Sequence, residues 1–151
     1  MLFKHLKLSI LLVSLSIVFL PGYGWSSDWY VSAAGSDSDS GDSQSAPFST
    51  ITKAMSMTAP GDNVYVMDGV YRNSGYGSGI DGSNLTNGNV LRITTSGSAG
   101  APITLKNLEG HTPKIQFDGA GGINFAANTS YIIVEGFEIE GPSQSITYDQ
   151  A

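Results

Sequence analysis

Glu138 and Glu140, in the stretch "YIIVEGFEIEG" over residues 131–141, are the side chains whose spacing best suits chemistry. If Ile132, Val134, Phe137 and Ile139 turn inward, the two glutamates leave the same strand face, about 7 Å apart along it. Calcium takes hard oxygen ligands, carboxylates above all. Glu138 and Glu140 are therefore the candidate metal ligands, with Ca2+ as the cofactor they would hold against a sugar acid. The competing account is an ordinary solvent-facing strand. Among the bases, Lys106, Lys114 and Arg92 fall on the outward side of alternating strands, where a proton-abstracting group would sit. Each serves equally well as a solubilising charge, as do Lys53 and Arg72.

The remaining polar motifs point away from chemistry. The acidic loop "DSDSGD" from Asp37 to Asp42 invites a calcium-loop reading. From Asp37, however, the fifth position is Gly41, the sixth Asp42 and the twelfth Phe48, where that loop needs an Asp or Asn, a Gly and a Glu. A turn held by bonds from side chain to backbone is the better reading. His111 sits in the turn "NLEGHTP" with no Ser or Asp pattern that would build a triad, and reads as a surface residue. Asp118 at a corner and Asp81 in a long loop are weaker candidates still.

The elements that must position these residues are short. The chain has 151 residues with 19 glycines and only 13% charged residues, so it turns often and has few surface helices. Lys4, His5 and Lys7 precede an apolar run from Leu8 to Leu20 and the small-residue stretch "PGYGWSS", which reads as a secretory signal peptide over residues 1–26. The run is shorter than the ~20 residues a spanning helix needs, which disfavours an uncleaved anchor. Without the signal, five basic residues face thirteen acidic ones, a formal charge of −8. That balance argues against nucleic acid as a partner. An acidic polysaccharide would also be repelled unless a cation intervened. There is no cysteine, so stability rests on packing alone.

Residues 27–61 form a cap: the strand "DWYV" (28–31), a polar loop, and one amphipathic helix with a stripe of Phe48, Ile51, Ala54 and Met55 that Pro60-Gly61 stops. From residue 62 the pattern is strand, turn, strand: "NVYVM", "NVLRITT", "PITLKN", "PKIQF", "GINFA", "YIIVE" and "FEIEG". Asp68-Gly69, before the short arm "VYR", would suit a hairpin. Yet Asp68-Gly69, Asp118-Gly119 and Glu135-Gly136 also fit single corners, and a chain that turns corners without reversing winds into a coil. Val64/Val66 are echoed by Leu91/Ile93, and Ile103/Leu105 by Ile132/Val134, at separations of 27 and 29. Repeats of that length signal a solenoid. An antiparallel sandwich is the rival fold.

"WYVSAAGSDSDSGDSQSAPFSTITKAMSMTAPGDNVYVMDGVYR" is similar to the start of secreted right-handed parallel β-helix proteins, among them the pectate-lyase-like polysaccharide lyases of family 9. "APITLKNLEGHTPKIQFDG" and "YIIVEGFEIEG" look like their first full coils. The resemblance implies an all-β, right-handed parallel β-helix with an N-terminal cap helix, incomplete after about three coils at residue 151. It also implies a secreted or periplasmic protein acting on a polysaccharide, most simply an acidic one such as pectate. In these lyases calcium neutralises a uronic acid carboxylate while a Lys or Arg removes the neighbouring proton. Those groups lie on middle coils, so no catalytic residue is carried over to this chain. A non-catalytic carbohydrate-binding or adhesin-like β-helix is the alternative.

Overall fold

The computed structural model describes residues 26–73, 76, 89–118 and 121–142. Nearly all of the expected signal peptide, the loop containing Asp81, and the stretch "ITYDQ" lie outside the described residues. The strands follow from period-two alternation: Val64 and Val66 are fully buried while Asn63 and Tyr65 stay half-exposed. In chain order the elements are β1 (Asp28–Val31), α1 (Ile51–Met57), β2 (Asn63–Val66), β3 (Val70–Arg72), β4 (Asn89–Ile93), β5 (Ile103–Asn107), β6 (Lys114–Gln116), β7 (Gly121–Phe125), β8 (Ile132–Glu135) and β9 (Glu138–Glu140).

These strands form three sheets, β1-β2-β5-β8, β3-β6-β9 and β4-β7, with every pairing between them parallel. From β2 onward consecutive strands therefore lie in different sheets, and the chain returns to each sheet once per turn. That is a parallel coil, and the antiparallel sandwich is excluded. Asp68-Gly69 is a corner rather than a hairpin, because β3 pairs with β6 and not with β2.

One expected repeat holds and one fails. Ile103 and Leu105 lie beside Ile132 and Val134, as their spacing indicates. Val64, however, lies beside Leu105, and Leu91 beside Ile123. The long loop between β3 and β4 belongs to the first coil, so Leu91 is an inward residue of the same turn as Val64, on another sheet. Similar inward pairs on the two walls produced the apparent echo.

The cap closes the first coil. β1 extends the first sheet beyond β2, in register from Asp28 beside Asn63 to Val31 beside Val66. The far edge of β1 is covered by the polar loop: Tyr30 N–H donates to the Gly41 carbonyl at 2.7 Å, and Phe48 N–H to the Tyr30 carbonyl at 2.9 Å. The helix starts at Ile51, later than the apolar stripe indicates. Asp37 accepts the Ser49 and Thr50 N–H groups, each at 2.9 Å, and the Thr50 hydroxyl at 2.8 Å. Thr50 is thereby fixed in extended geometry as the N-cap, accepting the Lys53 N–H. Phe48 stays extended, buried, and stacked on Trp29 with ring centroids 6.0 Å apart. Asp62, 3% exposed, ties the parts together by accepting from Ser27 N–H (2.8 Å), Trp29 Nε1 (3.1 Å) and Ala59 N–H (2.9 Å). Among the described residues no helix is long and apolar enough to cross a membrane.

Candidate functional site

Among the described residues, the sheet β3-β6-β9 carries a continuous polar network on its outward face. Tyr71 and Ile115 point inward, so the alternate residues form two outward columns: Val70, Lys114, Glu138 and Arg72, Gln116, Glu140. Neighbouring strands are about 4.8 Å apart, close enough for each side chain to meet the next. The Lys114 ammonium lies 2.9 Å from Glu138 Oε1 and 3.0 Å from Glu140 Oε2. Gln116 Nε2 donates to Glu140 Oε1 at 2.8 Å, and Arg72 Nε donates to Gln116 Oε1 at 2.7 Å. The Arg72 guanidinium also lies over the Tyr76 ring, 4.9 Å from its centroid.

Charge follows this geometry. Bonds from Glu138 and then Glu140 raise the Lys114 ammonium above the ordinary lysine value. The bond from Lys114, followed by that from Gln116, holds the Glu140 carboxyl below the usual carboxylate range. Lys114 is therefore a fixed cation, with none of the character of a general base, which needs a depressed value.

Glu138 and Glu140 do share a face, as the alternation indicates, but the arrangement fits an ammonium rather than a calcium ion. Calcium takes six to eight oxygens. Here both oxygens of Glu140 and one of Glu138 are engaged by Lys114 and Gln116. Among the described residues no three His, Cys, Asp or Glu side chains gather to hold a metal. The physical reason lies one coil away, where parallel stacking sets Lys114 directly beside Glu138. That neighbour is 24 positions earlier in the chain, outside any local motif.

With the coil and its polar face described, the comparisons with known proteins decide the family. The family model described as "Pel9A-like, right handed beta helix region" matches residues 29–149. The chain belongs to the Pel9A-like right-handed β-helix family. A rhamnogalacturonan lyase structure is 26% identical, with a TM-score of 0.62 over 80% of this chain and 30% of that one. The crystal structure of pectate lyase Pel9A is 23% identical, with a TM-score of 0.59 over 77% of this chain and 28% of that one. A complex of XylC with xylose is 29% identical over 59% of this chain and 11% of that one, at a TM-score of 0.45. The chain thus spans less than a third of each of these structures. No curated protein matches it.

In this Pel9A-like coil the three candidate bases sit on three different sheets: Arg92 on β4, Lys106 on β5 and Lys114 on β6. They diverge around the coil and cannot converge on one substrate atom. Lys106 lies over the Tyr65 ring at 5.2 Å, and Tyr65 stacks on Tyr30 at 5.5 Å. His111 bridges two turns: its Nδ1 accepts the Asp68 N–H at 3.1 Å, and Asp68 Oδ1 accepts the Thr112 N–H at 2.6 Å. Asp118 is likewise a corner clamp, accepting from Asn73 Nδ2 at 2.9 Å. Asp37 serves the cap as described above, so the acidic loop is a turn.

Proposed function

We propose that this chain is the cap and first coils of a secreted, polysaccharide-active β-helix protein, a lyase that cleaves an acidic polymer such as pectate by β-elimination. The observation that carries this reading is the family match over residues 29–149. The 26% identical structure, a rhamnogalacturonan lyase, supports the same substrate class. Calcium enters the proposal through charge: an acidic chain needs a bridging cation to approach a polyanion. Glu138 and Glu140, already clamped on Lys114, do not supply that site. The divergence of Arg92, Lys106 and Lys114 favours the second reading for these coils taken alone, a carbohydrate-binding module without catalysis.

The test is the absorbance of unsaturated product from polygalacturonate, alginate and chondroitin, with calcium and with chelator, using the complete secreted protein. Product that disappears with chelator supports the calcium-dependent lyase. Polymer binding without product on every substrate leaves the binding module as the function.

A further inference from the structure

Where the cap meets the first coil there is a cavity of about 270 Å³, lined by Ser49, Thr50 and Thr52 on one side and by Val70, Arg72 and Val90 on the other. The space is half open to solvent and has room for a sugar ring. Its coil wall is the edge of β3, which pairs with β6 on one side only and faces the cap on the other. Val70 is 43% exposed there although it is a strand residue. Together with the half-buried Val90, it forms an apolar patch suited to the C–H face of a sugar.

The polar groups are of two kinds. The Ser49 and Thr52 hydroxyls make no hydrogen bond among the described residues, whereas the Thr50 hydroxyl is committed to Asp37 and the Lys53 N–H. Arg72 uses Nε on Gln116 and its face on Tyr76, and meets no carboxylate within ion-pair distance among the described residues. Its terminal nitrogens keep the planar fork that matches a carboxylate in two parallel bonds. A fixed guanidinium, two uncommitted hydroxyls and an apolar patch around a space of this size are the complement of a sugar acid.

We infer that this cavity binds a single uronic acid residue, with Arg72 on the carboxylate, Ser49 and Thr52 on ring hydroxyls, and Val70 and Val90 against the ring. This site lies at the cap, between α1 and the edge of β3. Free galacturonate has no glycosidic bond to eliminate, so its binding stands or falls separately from lyase activity.

Titration of isotope-labelled protein with galacturonate, and separately with galactose, tests the site by NMR. Galacturonate is expected to shift the Val70 and Val90 methyl signals, while galactose, lacking the carboxylate, binds at least about tenfold more weakly, since a charge-assisted bond is lost. Arg72→Gln should bring galacturonate down to the level of galactose, and Thr52→Phe, which fills the cavity from an exposed helix position, should abolish both. Equal shifts from the two sugars, unchanged galacturonate affinity in both folded variants, or shifts remote from Val70 and Val90 would overturn the inference.

Discussion

Lys114 explains how two outward glutamates stand two positions apart on so acidic a chain. Without its ammonium, Glu138 and Glu140 would repel across one strand face. The linkage has a definite sign. Because the Glu140 carboxyl is depressed, its contribution is present above the ordinary carboxylate range and is lost as pH falls through the lowered value. Because the Lys114 ammonium is raised, its contribution is present below the ordinary lysine range and is lost as pH rises through the raised value. Lys114→Met should therefore return the Glu140 carboxyl towards its ordinary value in an NMR titration, with only a small loss of stability because the cluster is exposed. An unchanged Glu140 titration would refute the clamp. Asp62 works in the opposite regime, buried with three donors on it. Asp62→Ala should cost about 1–3 kcal/mol in urea unfolding, since it leaves three partly buried donors without their acceptor. The outward placement of Glu138 and Glu140 was legible from alternation alone. Their partner was not, because which residue lies across a coil depends on the lengths of the intervening turns.

At the scale of elements, the cap shows why local pattern locates a helix better than it locates its start. Phe48 fits the three-and-four spacing with Ile51, Ala54 and Met55, and all four are buried. Yet Asp37, outside the periodic stretch, takes the N–H groups that would otherwise begin a helix turn at Ser49 and Thr50. Phe48 then fills the space between Trp29 and Gly41. Gly41 has a φ of +69°, and a Cβ there would run into the Phe48 ring. Phe48→Asp should destabilise the protein by about 4 kcal/mol or more, enough to unfold or aggregate it, whereas Met57→Asp on the same cap should stay within about 0.5 kcal/mol. Met57 is 44% exposed, so equal losses in thermal unfolding would mean that the cap does not seal the coil. Strand β3 was visible as the arm "VYR", but Asp-Gly alone could not distinguish a corner from a hairpin. Only its pairing with β6 does so.

Over the whole molecule, a coil stack protects its residues unequally along the axis. Val64, Val66, Ile103, Leu105 and Ile115 are fully buried in the first two coils. By contrast Phe125 and Ile139, which the register aligns with inward Ile93 and Ile115, are 52% and 58% exposed. Each coil needs the next to cover it. In a chain of these 151 residues alone, amide exchange should accordingly be slower in β2 and β5 than in β8 and β9, and uniform protection across the four strands would count against stacking in this order. Alternation and corner residues made the solenoid legible, whereas the register was hidden by the long loop inside the first coil. Register is what places Lys114 between Glu138 and Glu140 and leaves the edge of β3 facing the cap, so both the polar face and the cap cavity depend on it. Methyl NOE spectroscopy reads it directly. Contacts of Val64 with Leu105, Leu105 with Val134, Leu91 with Ile123, and Ile115 with Ile139 are the expected result. Strong cross-strand NOEs between sequence neighbours instead, such as Val66 with Val70, would contradict the parallel coil and everything built on it.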